Sequence, residues 1–171
     1  MHLLSRKAAC LDEHSRLLKA NRCYRIGIAL HEAGHVYYGE KVGLQDFRFT
    51  GPNTDLHHEA CLQTIAWSKR KHTLFENALF SCSGAEVHRV LAPYSYKADE
   101  SKLDWDSFVQ DWTKAYPSVS IDVLSKAWKE AQEYVATDLK SFYVKSDLWQ
   151  LAREVETMIP NLADTVFITD I

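Results

Sequence analysis

Apolar residues recur every three or four positions between Arg22 and Val42, a spacing typical of an α-helix with one buried face. The apolar stripe consists of Ile26, Leu30, Ala33 and Tyr37. Gly43 follows the last turn, and glycine is a common residue just past a helix C-terminus. The pattern therefore predicts an amphipathic helix over residues 22–42.

Other stretches of the chain have the same helical spacing of apolar positions. They cover residues 6–20, 69–91, 103–116, 119–144 and 147–159. Pro93, Pro117 and Pro160 are expected to end three helices, because proline removes a backbone donor and disrupts the preceding turn. Ser118 or Ser120 is expected to cap the helix that follows Pro117.

Two short segments between Phe47 and Trp67 have a different pattern. "FRFTG" alternates between apolar and polar residues, and "ACLQTIAW" is a short apolar run with a β-branched residue. The polar stretch between them, "PNTDLHHEA", is typical of a loop. We therefore expect an α+β domain that is mostly helical, with a small β-sheet after the helix of residues 22–42.

Composition and charge narrow the class of protein. The 171 residues, of which 46% are hydrophobic, suffice for one globular domain with a single core. The net charge is −3 and no basic stripe occurs, so no nucleic-acid partner is expected. No apolar run has the length of a membrane-spanning segment, and the four cysteines lack a C-x-x-C pair. These features predict a single cytoplasmic domain over residues 1–171, with free thiols.

The helix of residues 22–42 contains the sequence His-Glu-Ala-Gly-His from His31 to His35. Residues four apart lie on one face of a helix, so the two imidazoles can bind the same Zn²⁺ ion. Glu32 then lies beside the ion, where it can act as general base on a zinc-activated water. Ala33 and Gly34 are small, which lets another segment approach the helix closely. The motif predicts a zinc site of the peptidase type.

The motif does not identify the third zinc ligand. A metzincin would have glycine and histidine at the positions of Tyr38 and Lys41, so that class is excluded. The cluster "HHE" of residues 57–59 is interpreted as a solvated loop. The spacing of the residues leaves several carboxylates open: Glu59, Glu76, Glu86, Asp99, Glu100, Asp104 and Asp106.

Several segments together resemble the peptidase domain of FtsH-type zinc peptidases. "ALHEAGH" is similar to the zinc helix of that family, and "ALFSCSGAEVHRVL" is similar to its next helix. "SKLDWDSFVQ" resembles the stretch that supplies the aspartate ligand at the start of a helix, and "LWQLAREV" resembles the closing helix. The order agrees with the family over roughly residues 26–159. The resemblance implies a zincin-like metallopeptidase domain.

Carried over to this sequence, the resemblance implies that His31, His35 and Asp104 bind Zn²⁺ and that Glu32 is the general base. Glu86 matches the glutamate of the family's Ala-Glu pair, which implies support of the zinc helix or, alternatively, a buried salt bridge. Two features depart from the family. The chain contains no Gly-rich phosphate loop or Walker lysine, so a stand-alone peptidase without an ATPase domain is implied. The glycine before the Ala-Glu pair is displaced to Gly84.

The expected function is that of a zinc-dependent metalloendopeptidase that hydrolyses peptide bonds in peptides or proteins. Two alternatives remain open. One is a zincin that cleaves a repressor and takes Glu76 as its third ligand. The other is a non-catalytic domain that is stabilised by zinc and binds a protein. The substrate is expected to be a peptide or protein, without nucleic acid or membrane, and both a homo-oligomer and an unknown protein partner remain open.

Overall fold

The computed structural model describes residues 25–50, 63–67, 71–96 and 98–158. The first described element is helix α1, at residues 25–41, followed by strands β1 (Gln45–Thr50) and β2 (Gln63–Trp67). The remaining helices are α2 (Leu74–Leu91), α3 (Ala98–Ala115), α4 (Ile121–Asp138) and α5 (Phe142–Met158). The helix predicted at residues 6–20, the loop with the "HHE" cluster and the C-terminal tail lie outside the described residues. Within the described part, no helix combines the length and the apolar character needed to cross a membrane.

The predicted α+β class is wrong, because the described residues form a bundle of helices rather than helices packed on a sheet. β1 and β2 form only a two-stranded antiparallel pair, with an irregular register between Gln45 and Arg48. The buried hydrophobic residues lie on helices and their connecting turns, and Phe47 of β1 is only partly buried against them. A strand pair of this size forms no layer that could carry a core. Alternation in the sequence indicates extended backbone but does not show how many strands pair.

Helix α2 is the central element of the bundle and packs against both α3 and α4. Its buried positions run almost continuously from Ala78 to His88, as expected for a helix surrounded by others. The helix begins later than the predicted residue 69 because Thr73 is its N-cap. The Thr73 side chain accepts a hydrogen bond from the backbone N–H of Glu76, and the Glu76 side chain accepts one from the N–H of Thr73.

Two other helix boundaries differ from the predictions. α3 begins at Ala98 instead of Leu103, so Asp104 lies in its second turn rather than at its start. The helix predicted for residues 119–144 ends at Asp138, and α5 begins at Phe142. This break contains neither glycine nor proline, so the sequence does not indicate it. The N-cap at Ser120, one of the two predicted serines, is confirmed.

α1 and α2 approach each other closely where both sequences are rich in small residues. A β-carbon added to Gly34 would lie 2.7 Å from the backbone oxygen of Ser83. The Ser83 hydroxyl donates a hydrogen bond of 3.1 Å to the carbonyl of Gly34, which joins the two helices at the same point. The prediction that the small residues of the motif admit a neighbouring segment is confirmed. The glycine at position 34 therefore sets the separation of the two helices.

Substitution Gly34→Ala is expected to lower the free energy of unfolding by about 1–3 kcal/mol, because the new methyl group meets backbone that has no rotamer to change. Gly39→Ala is the matched control on the same helix, since it gains the same helix propensity. Its β-carbon would meet the ring edge of Phe47, which can move. Urea denaturation measures both variants, and equal stability losses would contradict this account of the helix contact.

Candidate metal centre

α1 presents His31 and His35 on one face, one helical turn apart, towards α2 and α3. The two Nε2 atoms are 3.0 Å apart and the ring centroids 4.8 Å apart. Both side chains are largely shielded from solvent, with exposures of 13% and 9%. The i, i+4 spacing seen in the sequence thus places two ring nitrogens at one point.

Asp104 reaches the same point from α3. Its Oδ2 lies 3.6 Å from Nε2 of His31, and its Oδ1 lies 3.8 Å from Nε2 of His35. The three side chains form a group whose ligand atoms all lie within 4.8 Å of one another. The structure therefore brings together the three residues that the resemblance implied as metal ligands.

The donor set fits a zinc ion. In a tetrahedral site with bonds of about 2.0–2.1 Å, the ligand atoms are roughly 3.3 Å apart. The two imidazole nitrogens are 3.0 Å apart, and they lie 3.6 and 3.8 Å from different oxygens of Asp104, so the distances are near this value. Two imidazoles and one carboxylate also match the ligand types that zinc binds in catalytic sites.

The ring of His35 is held by the backbone of α2. Its Nδ1 donates a hydrogen bond of 2.8 Å to the carbonyl oxygen of Phe80. A carbonyl only accepts, so the proton of the neutral ring is on Nδ1 and the lone pair of Nε2 points towards His31 and Asp104. Burial, and secondarily the nearby His31, lower the pKa of His35 from 6.5 to about 3. The ring is therefore neutral at physiological pH, which is the form that binds a metal.

Gly84 of α2 forms the floor of the site. A β-carbon at this position would contact Nε2 of His35 and would lie 2.7 Å from Cδ2 of that ring and 2.8 Å from Cδ2 of His31. Any side chain at position 84 would therefore displace both imidazoles. The displaced glycine that sets this sequence apart from the family pattern is the residue on which the two rings rest.

Glu32 is buried, with an exposed fraction of 3%. It directly follows His31 on α1, so it lies beside the face that carries the two histidines. Burial of a carboxylate is costly unless the group is paired or has a chemical role. Its position is the one that the motif assigns to the general base.

Glu86 is buried on α2 and has strong contacts outside the group of three residues. Its Oε2 accepts hydrogen bonds from Nε and Nη2 of Arg89, at 3.1 and 2.5 Å. Its Oε1 accepts one of 2.8 Å from Gln132 of α4. The salt bridge with Arg89, the alternative considered from the sequence, lies within α2, and the hydrogen bond from Gln132 ties α2 to α4.

The other carboxylates considered as third ligands are not in this group. Glu76 is engaged at the N-cap of α2 by Thr73 and lies 3.8 Å from Nδ1 of His72. Asp106 is exposed on α3. Glu59 and the side chains of Asp99 and Glu100 lie outside the described part of the chain.

Cys82 lies near the centre but remains a neutral thiol. It is fully buried on α2, and burial raises the pKa of its thiol well above the usual value. The carboxylates of Glu86 and Asp104 raise that pKa further. The thiol donates to the carbonyl of Leu79 at 3.8 Å. It therefore packs as a small apolar side chain behind the site.

Sequence reasoning did not identify how α2 supports the centre. The Phe80 carbonyl fixes the tautomer of His35, and Ser83 donates to the carbonyls of both Phe80 and Gly34. A backbone carbonyl has no sequence signature. The run "SCSGA" was a visible signal, since so many small residues in one apolar helix indicate a close helix contact.

Comparison of the chain with protein-family models, with curated proteins and with solved structures finds no match. The likeness to FtsH-type peptidases therefore stays a prediction. The geometry of His31, His35 and Asp104 stands independently of that likeness.

The depressed pKa of His35 predicts a pH dependence of stability in the zinc-free protein. Unfolded His35 takes up a proton near pH 6.5, whereas folded His35 does so only near pH 3. The unfolded state binds more protons between these values, so stability should fall as the pH is lowered from 6.5 towards 3.

Urea denaturation of the zinc-free protein between pH 7.5 and about 4 measures this slope. His35→Asn is the control, because its amide can still donate to Phe80 but cannot titrate. The variant should lose part of the slope. An unchanged slope would show that His35 has an ordinary pKa in the folded state.

Proposed function

We propose that this protein is a zinc-dependent metallopeptidase that hydrolyses peptide bonds in peptides or proteins. The observation that carries the proposal is the convergence of His31, His35 and Asp104 from two helices, with ligand atoms within 4.8 Å of one another. The buried Glu32, adjacent to His31 in the motif, supports a hydrolytic role over a purely structural one. The resemblance to FtsH-type peptidases supports the same reaction class.

In this proposal His31, His35 and Asp104 hold a Zn²⁺ ion. When bound, zinc acidifies a water molecule and polarises a carbonyl group, which are the two effects that peptide hydrolysis needs. The chain contributes a rigid set of donors: His35 is held by the Phe80 carbonyl, both rings rest on Gly84, and Asp104 is fixed within α3. Three protein ligands would leave the ion free to bind a water molecule as well.

Glu32 has the role of proton carrier. Its carboxylate accepts a proton from the attacking water and then donates it to the nitrogen of the leaving amine. Its place directly after His31 on α1, beside the face that carries both histidines, favours this role.

The repressor-cleaving alternative receives no support from the described residues, since its ligand Glu76 is engaged in the capping box of α2. The non-catalytic alternative predicts the same bound metal without hydrolysis. Two measurements together distinguish the metallopeptidase from the non-catalytic domain: the zinc content and the rate of peptide hydrolysis.

The first is zinc content, measured by elemental analysis on the purified full chain. About one zinc ion per chain is expected for the natural sequence, with a large loss for Asp104→Ala, because the carboxylate supplies one of three protein ligands. Asp106→Ala is the matched control: an exposed aspartate on the same helix. Equal zinc content in the two variants would remove Asp104 from the ligand set.

The second is hydrolysis of a mixed peptide pool by the zinc-loaded protein, followed by mass spectrometry. Glu32→Gln should keep its zinc and lose about 10²–10⁴-fold in rate, because the amide cannot accept the proton. Lys129→Ala, which removes a charge from the exposed surface of α4, should leave the metal and most of the rate. Full activity in Glu32→Gln would disprove the proposed mechanism, and zinc without hydrolysis in the natural sequence would favour the non-catalytic reading.

A further inference from the structure

A cavity of about 400 Å³ lies between the N-terminal half of α2 and the C-terminal half of α3. Four aromatic side chains line it: Phe80 from α2, and Phe108, Trp112 and Tyr116 from α3 and its end. Trp112 and Tyr116 stack with ring centroids 4.8 Å apart, and Tyr116 is 46% exposed, so this pair forms the open side. The volume is within the range of pockets that bind small organic groups.

The cavity lies next to the candidate metal centre along α2 and α3. Phe80 lines the cavity, and its carbonyl holds the ring of His35. Asp104 is at the centre, and Phe108, one turn further along α3, lines the cavity. On α2, Gly84 contacts the histidine rings, whereas Asn77, two turns towards the N-terminus, lines the cavity. Seven helical residues span about 10 Å, so the cavity lies within about three extended residues of a peptide bond held at the centre.

One wall of the cavity contains a buried polar group. The side chain of His72 is only 7% exposed, and among the described residues neither of its ring nitrogens has a hydrogen-bond partner. Its Nδ1 lies 3.8 Å from Oε2 of Glu76, a distance too long for a hydrogen bond. A buried polar atom without a partner is destabilising unless a ligand satisfies it.

We infer that this cavity is the specificity pocket of the enzyme and that it accepts an aromatic side chain of the substrate, with tyrosine preferred. The four aromatic walls provide stacking and apolar contact for the substrate ring. His72 provides the hydrogen-bond partner for a hydroxyl at the end of that ring. The inference rests on the proposed peptidase function, because the substrate class is defined only relative to a bond cleaved at the metal centre.

The alternative occupant of the cavity is a basic side chain of the substrate. Asp111 also lines the cavity, and its carboxylate would attract a lysine. Asp111 is exposed, however, so water screens its charge, whereas His72 and Phe108 are shielded. The shielded groups interact more strongly with a bound side chain than the screened charge of Asp111 does, which favours an aromatic side chain in the substrate.

The test uses four capped heptapeptides of alanine whose central residue is tyrosine, phenylalanine, lysine or alanine. Hydrolysis by the zinc-loaded full chain is followed by mass spectrometry. Binding of fluorescein-labelled versions to the zinc-loaded Glu32→Gln variant is measured by fluorescence polarisation. The tyrosine peptide should be hydrolysed faster and bound more tightly than the phenylalanine peptide, by roughly three- to ten-fold, the effect of one hydrogen bond. Both should be hydrolysed faster and bound more tightly than the lysine and alanine peptides.

Two variants locate this preference in the cavity. His72→Leu should bring tyrosine down to the level of phenylalanine and leave the other peptides unchanged, because only the hydrogen bond is lost. Ala115→Trp should fill the open side of the cavity and remove the preference for both aromatic peptides. Ala115→Ser is its matched control at the same exposed position and should behave as the natural sequence does.

The outcomes separate this inference from the proposed function. Hydrolysis of all four peptides at equal rates, or a preference for lysine, would overturn the pocket and leave the peptidase standing. Selective binding of the tyrosine peptide that is lost in His72→Leu, without hydrolysis by the natural sequence, would support the pocket and overturn the peptidase. Neither binding nor hydrolysis would overturn both.

Discussion

The close contact between α1 and α2 is the constraint on which the rest of the structure depends. It is possible only because Gly34 has no side chain where it meets the backbone of Ser83. The contact seats the rings of His31 and His35 on Gly84, and it lets the Phe80 carbonyl reach the ring of His35. Protein interiors are close-packed, so one additional methyl group at this crossing would move every donor of the site.

The protonation state of His35 at this helix crossing follows from its neighbours. His35 is neutral because it is buried, and its proton is on Nδ1 because the Phe80 carbonyl can only accept. A carboxylate, Asp104, then faces two imidazoles, and the lone pair of Nε2 of His35 points towards the same place. Such a group of shielded donors favours the bound metal over the empty site, because a cation satisfies several polar atoms at once. The position of Glu32 beside this group is the feature on which the proposal of hydrolysis depends.

The sequence predicted those features that depend on local pattern. The period of the apolar residues predicted α1, and the spacing of His31 and His35 predicted two imidazoles on one face. Asp104 came from resemblance, because residue spacing alone left seven carboxylates open. The fold class was wrong because alternation in "FRFTG" cannot show that the strand pair stays outside the core. The break between α4 and α5 and the support of His35 by the Phe80 carbonyl depend on tertiary contacts, and these leave no local signal.

The central claim is that two imidazoles and one carboxylate hold the metal. Zinc K-edge X-ray absorption on the zinc-loaded full chain tests it most directly, because it reports the identity of the bound atoms without requiring activity. The account predicts only nitrogen and oxygen neighbours at about 2.0–2.1 Å, with the multiple-scattering signature of two imidazoles. A sulfur neighbour at about 2.3 Å, which would implicate a cysteine thiol, or a spectrum without imidazole would contradict it.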